Sequence, residues 1–166
     1  MMKYMIPVVL SLSASAEGVQ FTKDHSINCL ALNIYHEARG DNYAGQVAVA
    51  DVVLNRVEDV KYPNTVCEVV HQAKLSDWWL DQGKEIPVRN QCQFSWYCDG
   101  KSDNPQNERA WNQSVAIAYT MMRYDSYRGI TEGATHYHAE YMNPYWASSM
   151  QVVGRIGEHI FYRTIP

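Results

Sequence analysis

Positive charge is scarce in this chain, and so is charge of either sign. Lys and Arg number 14 in 166 residues against 18 Asp and Glu, for a net charge of −4, and charged residues make up only 19% of the whole. Nucleic-acid binding rests on counterion release by Lys and Arg, and adhesion to an anionic membrane rests on basic segments. The acidic balance argues against both. Long apolar runs are missing too. The run near the N-terminus, Ile6 to Leu12, contains Pro7 and is far too short to span a bilayer as a helix, so no stable membrane span is expected. There is no C-x-x-C pair and no H-E-x-x-H, two of the common zinc signatures. No internal repeat, low-complexity tract or Pro/Ser-rich linker interrupts the chain, whose length suits one domain better than two.

What is present is a substantial core. Hydrophobic residues make up 46%, and the aromatics comprise five Trp, twelve Tyr and three Phe. A chain of this size buries roughly 70% of its unfolded surface, so it needs no metal simply to fold. The aromatics suit a core together with a groove for flat or ring-shaped ligands. The first residues have the layout of a secretory leader: Lys3, the short apolar run, then Ala14-Ser15-Ala16 with its small residues in an A-x-A pattern. Residues 1–16 are therefore expected to be a signal peptide and 17–166 a single domain. The exported protein would lie in the periplasm, the cell envelope or the medium. An even cysteine count in an exported chain favours two disulfides. Cys29, Cys67, Cys92 and Cys98 allow three pairings; the closeness of Cys92 and Cys98 in sequence favours Cys92–Cys98 with Cys29–Cys67.

Helical spacing appears first. Cys29, Leu30, Ile34 and Ala38 predict a helix over 26–39, capped by Ser26 and ended by a left-handed Gly40. A second helix is predicted over 44–58, with Val47, Ala50, Leu54 and Val57 as its buried stripe. Thr65 and Glu68 form a capping box for a short third helix reaching about Lys74. Residues 75–91 show no clean period and read as a surface excursion carrying Trp78 and Trp79. The longest helix is predicted over 104–124, with Asn104 as its cap, Pro105 in its first turn and Trp111, Val115, Ala118 and Met122 along one face. The pattern then alternates through Thr135, Tyr137 and Ala139. Two further strands, 151–156 and 159–163, meet at Gly157-Glu158. Helices followed by a small antiparallel three-stranded sheet define an α+β fold.

Glu37 is the leading candidate for chemistry. It follows Asn33 by four residues, Ile34 by three and Leu30 by seven, which puts it on the apolar side of its helix. Desolvation there raises the pKa of a carboxyl group and keeps a proton available near neutral pH, as a general acid needs. The competing structural reading pairs Glu37 with Arg39.

Residues 29–166 resemble the catalytic domain of the SleB-like cell-wall hydrolases. The matching pieces are Leu32-Asn33-Ile34-Tyr35-His36-Glu37-Ala38-Arg39-Gly40 and Gly45-Gln46-Val47-Ala48-Val49-Ala50. They continue through Val53-Leu54-Asn55-Arg56-Val57, Cys92-Gln93-Phe94-Ser95-Trp96 and Gly157-Glu158-His159-Ile160-Phe161-Tyr162. The resemblance implies a lysozyme-like, lytic-transglycosylase-like helical core, with Glu37 as the catalytic acid/base. It implies cleavage of the β-1,4 bond between N-acetylmuramic acid and N-acetylglucosamine by a monomer that needs no cofactor. One carboxylate suffices if the muramyl C6 hydroxyl attacks C1 and a 1,6-anhydro sugar forms, whereas an ordinary glycosidase needs a second. Asp41, Asp51 and Asp99 are candidate seconds, each more readily read as a helix-end or surface residue. Tyr35, Gln46, Gln93, Ser95, Tyr137 and His138 are expected to bind substrate, and Phe94 and Trp96 to point the opposite way from Gln93 and Ser95. The rival reading is a zinc-dependent N-acetylmuramoyl-L-alanine amidase using His36, Glu37, His136 and His138. It is weakened because adjacent helix residues such as His36 and Glu37 point about 100° apart. A wall-binding module without activity is a third reading.

Overall fold

The computed structural model describes residues 24–165; the expected leader lies outside them. Asp24 opens the first helix, α1 (His25–Ala38), its side chain accepting from the Ser26 and Ile27 amides. The cap is thus two residues upstream of the expected Ser26. Ile27, Leu30, Ala31, Ile34 and Ala38 are buried, the i, i+3, i+4, i+7 pattern of one apolar face. Gly40 takes no positive φ; the helix ends through Arg39 in the right-handed region, and the Asp41 amide bonds back to Ala38.

The second helix, α2 (Tyr43–Glu58), is capped by Asn42. It buries two faces rather than the single expected stripe. Val47, Ala50 and Val53 meet α1 in the main core, while Ala48 and Val52 pack on Phe161 of the sheet. Leu54 and Val57 are only partly buried. The third helix, α3 (Val66–Val70), is opened by Thr65, whose hydroxyl accepts from the Glu68 amide and donates to the Glu68 carboxylate. It stops well short of Lys74 because the chain there turns into a strand.

That strand, β1 (Ala73–Leu75), pairs antiparallel with β2 (Pro87–Cys92), and a one-turn helix, α4 (Asp77–Leu80), lies between them. The aperiodic excursion is thus a small hairpin. The long helix, α5 (Glu108–Tyr124), is capped by Asn107, which accepts from the Ala110 amide. It starts later than expected because the Tyr35 hydroxyl accepts from the amides of Gln106 and Asn107 and holds that segment outside the helix. Ser114, Ile117, Ala118 and Met121 are its buried residues, with Trp111, Val115 and Met122 partly covered.

Strands β3 (His136–Ala139), β4 (Gln151–Ile156) and β5 (His159–Arg163) form an antiparallel sheet in the order β3-β5-β4. Directly paired residues share a face. Tyr137, paired with Phe161, therefore faces α2 together with His159. His136 and His138, paired with Tyr162 and Ile160, lie on the other face, where Trp146 packs against His136, His138 and Tyr162. The expected α+β fold is present. Cys29–Cys67 ties α1 to α3, and Cys92–Cys98 closes the loop after β2. No described helix is long and apolar enough to cross a membrane.

Candidate active site

Glu37 sits in the last turn of α1 and lines an open cleft of about 390 Å³ with Tyr35, His36, Ser95, Asp99, Asp103 and Gln106 among its walls. Burial raises its carboxyl above the usual value. A hydrogen bond from the Tyr137 hydroxyl, at 3.2 Å to Oε2, and the charge of Arg56 oppose this without cancelling it. The free carbonyls at the end of α1 work in the same direction as burial. Arg39 is not its partner: the guanidinium bonds the Tyr35 carbonyl and lies over the Tyr35 ring, 4.9 Å from its centroid. Burial thus favours the protonated form of Glu37, and a hydroxyl and a cation stand near enough to stabilise its carboxylate.

One edge of α2 delivers Tyr137. Asp51, fully buried, accepts from the Thr131 hydroxyl at 2.6 Å, from the amides of Gly129 and Thr131, and from Arg128. Asn55 donates to Thr131 and to the Ala134 carbonyl, and Arg56 Nε donates to the Thr135 carbonyl at 2.7 Å. Three residues of one helix therefore grip residues 128–135, and β3 leaves that grip with Tyr137 aimed at Glu37. The Arg56 side chain lies between the rings of Tyr62 and Phe94, and among the described residues its Nη1 finds no hydrogen-bond partner. Burial lowers its pKa, while Tyr137, Tyr62 and Glu37 favour its charge. Tyr137 is pushed well above the ordinary phenol value by burial and by the negative charge of Glu37.

The other wall is aromatic. Trp96 is buried, donates to Asn33 Oδ1 at 3.1 Å, and stacks on His36 with centroids 4.7 Å apart. His36 Nε2 meets the Asp103 carbonyl at 3.0 Å. Phe94 and Trp96 point inward and Gln93 and Ser95 outward, as alternation predicted. Of the expected substrate-binding residues, Tyr35 and Ser95 line the Glu37 cleft, and Tyr137 stands behind the acid. Gln46 is buried beneath a neighbouring depression that shares Arg39, bonded to the Asp41 carbonyl and to Gln113. Gln93 lines a separate depression with Gln72 and Lys74. His138 is on the outer face of the sheet, its Nδ1 donating to the Ala139 carbonyl and its Nε2 bonded to the Tyr162 hydroxyl. Of the candidate second carboxylates, Asp51 is absorbed by the grip on 128–135 and Asp41 is buried against His159. Asp99 lines the cleft, bonded to the Lys101 amide and paired with its ammonium.

Arg56, Asn33 and Asp103 were missed as site residues. Arg56 did carry a signal, since it falls three residues after Val53 on an apolar stripe, and a buried cation needs partners. Asp103 had none, because its place in the cleft depends on the loop held by Tyr35.

A helical core and a three-stranded antiparallel sheet thus hold Glu37, partly desolvated, in an open cleft. Residues 40–162 match the Cell Wall Hydrolase family model, and the chain belongs to that family. It is 32% identical over 143 residues to the spore cortex-lytic enzyme of Bacillus subtilis, covering 83% of this chain and 37% of that protein. The spore cortex-lytic enzyme of Halalkalibacterium halodurans is 30% identical over 139 residues, covering 83% of this chain and 34% of the relative. The chain thus spans about a third of the length of these relatives. Among solved structures it is similar to the catalytic domain of the Bacillus cereus SleB protein, with a TM-score of 0.53, 27% identity and coverage of 83% of this chain and 89% of the other. The catalytic domain of the germination-specific lytic transglycosylase SleB from Bacillus anthracis gives the same TM-score and identity, with coverage of 83% of this chain and 93% of the other.

Proposed function

We propose that this protein is an exported peptidoglycan lytic transglycosylase, acting as a monomer with Glu37 as its only acid/base. The observation that carries the reading is a largely buried carboxyl lining an open cleft, its pKa raised by desolvation, with the Tyr137 hydroxyl bonded to it and Arg56 nearby. Glu37 gives its proton to the glycosidic oxygen between N-acetylmuramic acid and N-acetylglucosamine as the C1–O bond breaks. The Tyr137 hydroxyl and the Arg56 charge stabilise the carboxylate that remains. That carboxylate takes the proton from the muramyl C6 hydroxyl as its oxygen bonds to C1. Glu37 is restored, a 1,6-anhydro sugar leaves, and no water is consumed. Ser95 meets the sugars at the cleft, whose wall Tyr35 shapes by holding residues 106 and 107; the buried Gln46 and the outward-facing His138 take no part in binding, and Gln93 serves only a unit that reaches its separate depression.

A hydrolytic variant has one observation in its favour, the two carboxylates Asp99 and Asp103 in the same cleft. The amidase is disfavoured by geometry: His136 and His138 face away from Glu37 across β3, and both nitrogens of His138 are engaged. Mass spectrometry of digested peptidoglycan separates the three. Anhydro-muramyl ends, with chelator-resistant activity, are expected. Reducing muramyl ends would move the assignment to hydrolysis with Asp99 or Asp103, and free stem peptides lost on EDTA treatment would move it to the amidase. Two disulfides fit an oxidising compartment, and N-terminal sequencing of envelope protein should begin near Glu17.

A further inference from the structure

We propose that Asp41 and His159 are positioning residues for Glu37, acting through the ring of Tyr137; the proposal rests on the reading of Glu37 as the acid/base. Asp41 lies four residues past Glu37, just beyond the end of α1, and its side chain is only 2% exposed. Oδ2 accepts from the Glu158 amide at 2.9 Å and from His159 Nδ1 at 3.2 Å, and Oδ1 accepts from the Asn42 amide at 2.7 Å. The carboxylate has its space because two glycines face it. A Cβ on Gly45 would stand 2.1 Å from it and one on Gly157 2.3 Å. Gly157 also takes a φ of +60° at the hairpin turn, a conformation that favours glycine. A carboxylate that merely ended a helix at the surface would need none of this.

His159 carries the arrangement inward. It is 8% exposed, and its ring meets the Tyr137 ring edge-on, centroids 5.2 Å apart and planes at 86°. Phe161 packs on the same ring at 5.6 Å. The Tyr137 hydroxyl then reaches Glu37. The path leaves the chain at Asp41, crosses β5 and β3, and returns to it at Glu37, so the end of the acid's helix and the residue that bonds the acid are fixed to each other.

A loose Tyr137 would hydrogen-bond Glu37 less well, and that bond opposes the rise of the carboxyl's pKa. Tyr137 from β3 and Arg56 from α2 act on Glu37 directly, and the titratable and charged residues His36, Arg39, Asp99, Lys101 and Asp103 line the same cleft. Losing the Tyr137 bond leaves the others in place and raises Glu37 further. The acid stays protonated to higher pH, so the alkaline limb of the rate profile moves up while the rate itself falls.

The test uses purified full-length protein, with peptidoglycan cleavage followed across pH and melting temperature measured in parallel. Tyr137→Phe sets the reference shift. His159→Asn keeps a donor toward Asp41 and loses the ring; kcat should fall by about ten- to a hundredfold, KM should hold, and the alkaline limb should move toward that of Tyr137→Phe. His159→Phe keeps the ring and loses the donor, so it should lose less rate and more stability. If His159→Asn does not fold, Asp41→Asn carries the same expectation. Variants that melt early yet keep the wild-type limb and full kcat per folded molecule would reduce the arrangement to a structural tie and overturn the proposal, as would an unmoved limb in Tyr137→Phe. Glycan cleavage surviving in Glu37→Gln would instead overturn the reading of the acid.

Discussion

A carboxyl group whose pKa is raised by folding weakens the fold when the pH is high enough to ionise it in the unfolded chain. Below the ordinary value of 4.5 both states carry the proton and nothing is lost. As pH rises through that value the unfolded chain ionises while folded Glu37 keeps its proton, and stability falls until the raised pKa is passed. Glu37→Gln removes this cost. Its melting temperature, relative to wild type, should be near zero difference at about pH 4 and rise above it toward pH 7. A variant less stable than wild type at pH 7, and more so than at pH 4, would mark Glu37 as a structural partner. Glu37 itself was legible because its spacing to Leu30, Asn33 and Ile34 placed a carboxylate on a buried face. Asp41 was not: two residues past the predicted helix, it reads as a helix-end or surface residue. Its burial comes from a hairpin more than a hundred residues away.

At the scale of elements, α2 holds the site together. The single buried stripe expected for it failed because the helix serves two partners, with α1 on one face and the sheet on the other. Its polar edge, Asp51, Asn55 and Arg56, orders the segment leading into β3. Asp51→Ala leaves the Thr131 hydroxyl and the amides of Gly129 and Thr131 without their acceptor, while Arg128 keeps Glu58 and Asn55; it should cost roughly 3–5 kcal/mol of stability, read by urea unfolding. Cleavage per folded molecule should fall as well, since Tyr137 is delivered through that grip; a destabilised variant with unchanged kcat would separate the grip from the site. The C-terminal hairpin was legible from alternation and a Gly turn, both local signals. The β1–β2 hairpin and the start of α5 were not. Their form is set by distant partners: pairing of Ala73 with Cys92 in one case and the Tyr35 hydroxyl in the other.

For the whole molecule, the two disulfides bracket the helical core and the wall of the cleft. Cys29–Cys67 closes a loop with a sequence separation of 38 and contributes about 4 kcal/mol in the chain-entropy model, against about 2 kcal/mol for the shorter Cys92–Cys98 loop. Paired Cys29→Ala and Cys67→Ala substitutions should therefore lower unfolding free energy by more than paired Cys92→Ala and Cys98→Ala. The second pair should matter more for activity, because its loop carries Ser95 and Trp96 in the cleft wall. Calorimetry and wall-digestion rates on the two double variants check the crossing; a single variant leading in both would contradict it.

In the proposed mechanism one glutamate both gives and retakes the proton. Glu37→Gln keeps the volume of the side chain and can still accept from Tyr137, but it cannot transfer a proton. Release of 1,6-anhydro-muramyl products by this variant, measured per folded molecule, should fall by at least about a hundredfold. A folded Glu37→Gln protein that releases these products at a near-normal rate would overturn that mechanism.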